Sequence, residues 1–220
     1  MGQSTFIAQP KQAAKLAERK TASASTVTIH GVEFVVLPGV YDTSIDTELM
    51  IDSVQVGERD TILEIGCGTG AVSILLAQRC KGGVGVDINE RAVENANRNK
   101  ELLGQSNVSF SRSNGFEKVT GNFPVIICNP PYSEHTVNDD VDRMFWDPAN
   151  EMKTKFFRDL HRYLEPDGRM YFGWANFADL DIDLPLRLAK EAGLQYVQTF
   201  QRDAREGKYQ FLVIEFKRRN

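Results

Sequence analysis

Two short stretches of this sequence hold residue types that could do chemistry. The first is Asn129-Pro130-Pro131-Tyr132, which follows directly on the apolar run Val125 to Cys128. Successive prolines remove two N–H donors and stiffen the backbone, so carbonyl oxygens stand outward at fixed positions and the turn becomes rich in acceptors. Asn129 Oδ1 and the Pro130 carbonyl could both accept from one NH2 group, while Tyr132 offers a flat face to a planar partner. A turn that only ends a strand accounts for one proline, but poorly for Asn-Pro-Pro-aromatic. The second stretch is Thr61 to Gly70, TILEIGCGTG, where a β-compatible run breaks into Gly66, Gly68 and Gly70 before a helical pattern starts at Ala71. Glycine at alternate positions lets the backbone take positive φ and come close to a ligand, and the N–H groups of the following helix favour negative or lone-pair-bearing groups. A nucleotide-like ligand is the natural occupant.

Asp87 ties the second stretch to a ligand of that kind. It ends the run Val84 to Val86, and an acidic residue about 20 residues past a glycine turn can accept from both hydroxyls of a ribose. Its alternative task is to cap the helix Glu90 to Leu103, for which Asn89 is equally suited.

The elements that must position these groups alternate along the chain. Residues 1 to about 25 are polar, with a short helix from Lys11 to Arg19 entered at Pro10. They read as a mobile or loosely docked arm, basic through Lys11, Lys15, Arg19 and Lys20. Thr26 to His30 and Val32 to Leu37 suggest a small hairpin turning at His30-Gly31. Thr47, Leu49, Met50, Ile51 and Val54 have helical spacing, and the polar segment Asp42 to Asp46 before them would lie beside the glycine turn. A helix from Ala71 closed by Gly82-Gly83, strands at Val84 to Val86, Val108 to Ser113 and Val125 to Cys128, and a helix stripe Met152, Phe156, Phe157, Leu160, Leu164 follow. Then come a turn at Pro166-Asp167-Gly168, a strand Arg169 to Trp174 and a helix Leu184 to Ala192. The hairpin Gln195 to Arg202 with Tyr209 to Lys217, joined through Glu206-Gly207, closes the chain. This order predicts an α/β fold with a doubly wound, Rossmann-like seven-stranded sheet, an antiparallel C-terminal hairpin and a short N-terminal helix and hairpin extension.

Composition narrows the classes. At 220 residues, 41% hydrophobic and 25% charged, the chain has ordinary globular usage,. Its net charge of -4 gives no global basic field of the kind that gathers nucleic acid,. Cys67, Cys80 and Cys128 are widely spaced, which indicates neither a disulfide framework nor a zinc site,. No apolar run approaches the roughly 18 residues a membrane span needs, and no signal segment opens the chain, so the sequence reads as a cytoplasmic, reduced protein.

Taken with their spacing, these stretches resemble a known family. ILEIGCGTG, with Glu64 ahead of the glycines, resembles the first motif of class I S-adenosylmethionine-dependent methyltransferases, and NPPY resembles the signature of those that methylate planar amino nitrogens. VYDTSIDTELMIDSV, residues 40 to 54, is closely similar to an Asp-Thr-Glu segment of the HemK-type protein-glutamine N5-methyltransferases. The resemblance spans roughly Gly39 to Gly168 and implies an arm and small hairpin over 1–38 ahead of a methyltransferase domain over 39–220. It implies S-adenosylmethionine as cofactor, with Glu64, Gly66 and Gly68 at the methionine end, Asp87 on the ribose and Asn114 by the adenine. Thr47, Cys67, Ile88, Gly115 and Asn129 complete the implied cofactor set, and Asn129, Pro130 and Tyr132 would hold the acceptor. Position 114 is Asp in the family; an Asn oxygen can still accept. About 38 residues stand where release-factor enzymes have a helical docking domain, and the insert Ser133 to Asn150 matches no known substrate loop.

The implied reaction puts a methyl group on a planar amino nitrogen, of a protein glutamine or of a small amine, without need of a metal. An alternative acceptor is the exocyclic amine of an RNA or DNA base, with Lys11 to Lys20 and Lys217, Arg218 and Arg219 on phosphates; the acidic balance opposes it. A dinucleotide oxidoreductase or a catalytically silent binding module fits less well, since the glycines run GxGxG rather than GxGxxG and NPPY has no use in hydride transfer.

Overall fold

The computed structural model describes residues 5–178, 181–204 and 209–218. Helix α1 (Thr5–Thr21) leads into the hairpin β1 (Ser25–Ile29) and β2 (Val32–Val36). Helix α2 (Ile45–Ser53) precedes β3 (Thr61–Ile65), and then α3 (Ala71–Ala77), β4 (Gly82–Asp87), α4 (Glu90–Leu102), β5 (Val108–Arg112) and β6 (Phe123–Cys128) alternate. Beyond the insert come α5 (Glu151–Asp159), β7 (Leu164–Ala175), α6 (Leu184–Glu191), β8 (Leu194–Ala204) and β9 (Tyr209–Arg218). The main sheet has the order β5-β4-β3-β6-β7-β9-β8, parallel up to β7 and antiparallel through β9 and β8, as the alternation predicts.

The chain runs outward from β3 to β5 and then crosses back to place β6 on the other side of β3. Connections on either side of that switch leave in opposite directions, which opens a crevice at the carboxyl ends of β3 and β6. Ile65 is paired with Cys128 there, so the glycine turn and the NPPY turn emerge side by side.

Both faces of the central strands are covered, which is why β6 reads as a continuous apolar run and β3 as one broken near its end by the buried Glu64,. Ile126, Cys128, Met170 and Phe172 face one layer, with Phe156, Phe157 and Phe216. Val125, Ile127 and Tyr171 face the other, with Leu49, Met50, Ile74 and Leu76. Ile29 and Phe34 of the hairpin join this second layer. The outer edge of β2 is satisfied by side chains of α4 rather than by a strand. Asn95 Oδ1 accepts from Leu37 N (2.7 Å) and Asn99 Oδ1 from Val35 N (2.9 Å), while Asn99 Nδ2 donates both to Val35 O (2.9 Å) and to Thr69 O (3.0 Å) in the glycine turn.

Several expectations are corrected. The arm is no loose tail: α1 is longer than expected and contains Pro10. It docks through Leu16 against Phe145 and Trp146 of the insert, and the buried Arg19 donates to Val40 O (3.1 Å) and Leu37 O (3.0 Å). Lys20 pairs with Asp139 (2.9 Å) and Asp142. Gly82-Gly83 opens β4 instead of closing the helix, because a Cβ on Gly83 would lie 2.4 Å from Ile62 Cγ1. Leu164 begins β7 rather than ending the α5 stripe, and the turn expected at Pro166-Asp167-Gly168 is an irregularity inside that strand, where Leu164 pairs with Phe123 and Arg169 with Val125. Glu206-Gly207 lies outside the described residues. Among the described residues no helix is long and apolar enough to cross a membrane.

Candidate active site

The crevice holds a cavity of about 700 Å³, in the size range of small-molecule sites,. Every residue singled out from the sequence lines it: Thr47, Glu64, Gly66, Cys67, Gly68, Asp87, Ile88, Asn114, Gly115, Asn129, Pro130 and Tyr132. The glycine turn forms one wall. Gly66 and Gly68 have φ of 81° and 53°, and a Cβ built on either would meet nothing within 4 Å, so the space beside the turn is open to a ligand. Thr69 Oγ1 on this wall and Thr43 Oγ1 elsewhere in the lining are buried without a hydrogen-bond partner among the described residues. Polar atoms in that condition are costly until something bonds them.

Asp87 Oδ2 accepts from Gly68 N (3.0 Å) and Oδ1 from Asn89 N (2.9 Å). Asn89, not Asp87, caps α4 by accepting from Arg91 N (3.1 Å), which leaves a lone pair on each Asp87 oxygen. Burial raises the Asp87 carboxyl above its ordinary value, against those backbone N–H bonds. Glu64 is more deeply enclosed, and burial pushes its carboxyl up to about 8 although Ser73 donates to Oε2 from its N (3.1 Å) and hydroxyl (2.5 Å). Burial also pushes the Cys67 thiol well up, so Cys67 is a small apolar wall and no nucleophile at neutral pH,. Asn114 Nδ2 donates to Glu117 (2.9 Å), which leaves Oδ1 as its accepting atom.

The opposite wall is a network of side chains. Asn129 Nδ2 donates to Asp46 Oδ2 (2.9 Å), and Tyr132 donates its hydroxyl to Asn129 Oδ1 (2.7 Å) and approaches Asp46 Oδ2 (3.4 Å). Asp46 is 4% exposed and also accepts from Ser44 Oγ (2.5 Å) and the Tyr41 hydroxyl (3.3 Å). These bonds fix which way the Asn129 amide faces, and its oxygen keeps one lone pair for a further donor. Burial beside Asp46 pushes the Tyr132 hydroxyl well up, so it stays protonated as a donor. The expected role of Tyr132 changes accordingly. Its ring is enclosed by Trp174, Phe177 and Phe211, and it meets Asn129 by its hydroxyl rather than offering an open face.

Sequence reading set Asp46 beside the site without its partner and missed a second contributor altogether. Asp46 lies in the matched Asp-Thr-Glu segment, 83 residues before its partner Asn129, and nothing local marks the pairing. Gly173 in β7 is the other: a Cβ there would stand 2.1 Å from Asn129 Oδ1. A lone glycine between Phe172 and Trp174 signals such a close approach. Helix α1 and the insert complete the cavity with Lys11, Gln12, Lys15, Phe145 and Trp146.

Comparison with known proteins finds relatives for the chain. A chain of Methanocaldococcus jannaschii named as a candidate protein N5-glutamine methyltransferase is 35% identical over 149 residues, covering 64% of this chain and 75% of the relative. The release factor glutamine methyltransferase of Agrobacterium fabrum is 33% identical over 114 residues, but these cover 47% of this chain and 39% of that enzyme. Among solved structures, the ribosomal protein L11 methylase of Lactobacillus delbrueckii subsp. bulgaricus shares the fold, with a TM-score of 0.64 at 18% identity over 84% of each chain. The family model for the methyltransferase small domain matches residues 31–201. With most of the chain inside that model and its glycine turn, Asp87 and NPPY turn gathered on one cavity, the protein belongs to the methyltransferase small domain family.

Proposed function

We propose that this methyltransferase uses S-adenosylmethionine to methylate the side-chain amide nitrogen of a glutamine in a protein. The observation that carries this reading is the Asn129 amide, held by Asp46 and Tyr132 with one acceptor position left over, beside a nucleotide-shaped cradle. The residues fit the cofactor. Asp87 would hold the ribose hydroxyls, the open glycines and the unpartnered Thr69 would receive the methionine part with Glu64 behind them, and Asn114 and Gly115 would flank the adenine. Bound there, S-adenosylmethionine supplies an already activated methyl group.

The protein then has chiefly to align the acceptor, and such positioning supplies several kcal/mol, up to about 7–11 in the best cases. Asn129 Oδ1 and the Pro130 carbonyl accept from the two hydrogens of the acceptor NH2. An amide nitrogen delocalises its lone pair into the carbonyl; two acceptors on its hydrogens draw it toward the tetrahedral, positively charged form of the transition state. Asp46, bonded to Asn129 and Tyr132, places a negative charge behind that nitrogen. Glutamine is favoured over other amines by the archaeal relative's name and by the Asp46 segment. The chain spans 39% of the Agrobacterium fabrum enzyme, so a release factor is not carried over as the acceptor.

The test is to incubate the purified protein with methyl-labelled S-adenosylmethionine and a cell extract. Label should remain with protein after nuclease digestion and appear as N5-methylglutamine in an enzymatic hydrolysate. Label that nuclease releases would move the acceptor to a nucleic-acid base.

A further inference from the structure

We propose that the buried pair Lys153 and Asp147 is a positioning device for the acceptor turn, an inference that rests on the methyl-transfer reading above. Both side chains are 0% exposed and their charged atoms lie 2.8 Å apart. Lys153 Nζ also donates to the Pro131 carbonyl (2.9 Å) and stands 5.8 Å over the ring of Trp174, which packs edge-on against Tyr132. Asp147 uses its own N–H on the Ser133 carbonyl (3.0 Å), and its carboxylate accepts from Met152 N (2.9 Å) and Lys153 N (3.1 Å) at the start of α5.

The Pro131 carbonyl before Tyr132 is therefore held by the Lys153 ammonium, and the Ser133 carbonyl after it by the main-chain N–H of Asp147, whose carboxylate anchors that ammonium. Pro131 and Ser133 bracket the residue whose hydroxyl fixes the Asn129 amide, so the pair acts on Asn129 through Tyr132. Lys153 also draws the Pro131 carbonyl toward α5, which orients the peptide that leads into Tyr132. Stability alone explains the arrangement poorly, because burying two charges offsets most of their attraction and an apolar pair of similar volume is often as stable. Neither residue is given contact with the reacting atoms; both are positioning residues.

The experiment is a double-mutant cycle between Lys153→Met and Asn129→Ala. Turnover is read as labelled methyl transferred from S-adenosylmethionine to the proteins of a cell extract, and cofactor affinity by calorimetry. Lys153→Met should lower turnover by about tenfold or more in the native background and by less than about twofold once Asn129 is alanine, since coupled residues are non-additive. Cofactor affinity should not change. An equal loss in both backgrounds, or a lowered melting temperature with native turnover, would overturn the inference. If Lys153→Met fails to fold, the pair Lys153→Met with Asp147→Asn carries no buried charge and is read in the same way. A native enzyme that labels nothing would sink the methyl-transfer reading instead. In that case amide exchange decides the inference without any acceptor: faster exchange confined to Tyr132 and Ser133 in the variant supports it, and a uniform rise contradicts it.

Discussion

Around the glycine turn the cavity is shaped by main chain, with left-handed glycines, N–H groups on Asp87 and space where side chains are missing. Around Asn129 it is shaped by side chains that reach one another from distant parts of the sequence, Asp46 on α2, Tyr132 past β6 and Gly173 on β7. The first wall can be assembled from a local motif. The second exists only when three elements are in register. Substitutions should accordingly separate into those that weaken cofactor binding with chemistry intact and those that impair chemistry with cofactor binding intact.

The largest effect is expected on the acceptor wall. Asn129→Ala should lower single-turnover rate by about two orders of magnitude, the size seen when one preorganised polar contact to a transition state is removed, with S-adenosylmethionine affinity nearly unchanged. Gly173→Ala should fall in the same class, since its new methyl would displace Asn129 Oδ1. A Gly173→Ala enzyme with native turnover would mean that Asn129 need not sit where the structure has it.

On the glycine-turn wall, Asp87→Ala removes the acceptors proposed for the ribose. Charge-assisted hydrogen bonds contribute about 1.5–3 kcal/mol each, so calorimetry should show a loss of more than about tenfold in cofactor affinity. Equal binding by the variant would take Asp87 out of the site. Asp46→Asn tests the boundary between the walls. It keeps shape and an accepting oxygen but removes the charge, so a turnover loss near tenfold, smaller than for Asn129→Ala, is expected with cofactor affinity held.

The smallest effect concerns pH. The folded Glu64 carboxyl is raised to about 8 by burial, so it is mostly protonated at pH 7. A cofactor ammonium brought near it would favour the carboxylate and release a proton. Cofactor affinity should then rise with pH up to about 8 and level off above it, a slope that Glu64→Gln should abolish,. The linkage to stability has the opposite sense. The folded value lies above the unfolded one, so this group's contribution to stability falls as pH rises from the ordinary carboxylate range to about 8. Urea titrations of the native and Glu64→Gln proteins across that range check the sign.

This division also decides what the sequence makes legible. The sheet, its closing hairpin and the glycine-turn wall follow from short apolar strand runs between helical stripes, glycine spacing and an acid at a fixed distance, all local signals. Asn129, Pro130 and Tyr132 are local too, and they lie where their motif predicts. Asp46 and Gly173 are not, because their importance is in a hydrogen bond and a close approach across the fold. The docking of α1 was missed for the same reason: its basic face reads as solvated, whereas Leu16 and Arg19 find their partners in the insert and ahead of α2. The strand role of Gly82-Gly83 depends on Ile62 of the neighbouring strand, which no window around the glycines contains.

Asn99 has an effect that reaches beyond either wall. Its single amide binds Val35 of the hairpin and the Thr69 carbonyl of the glycine turn, although the hairpin lines no part of the cavity. Two segments tied by one side chain are expected to open together. A ligand bound at the turn should therefore slow hydrogen exchange in β1 and β2 as well, although neither strand lines the cavity.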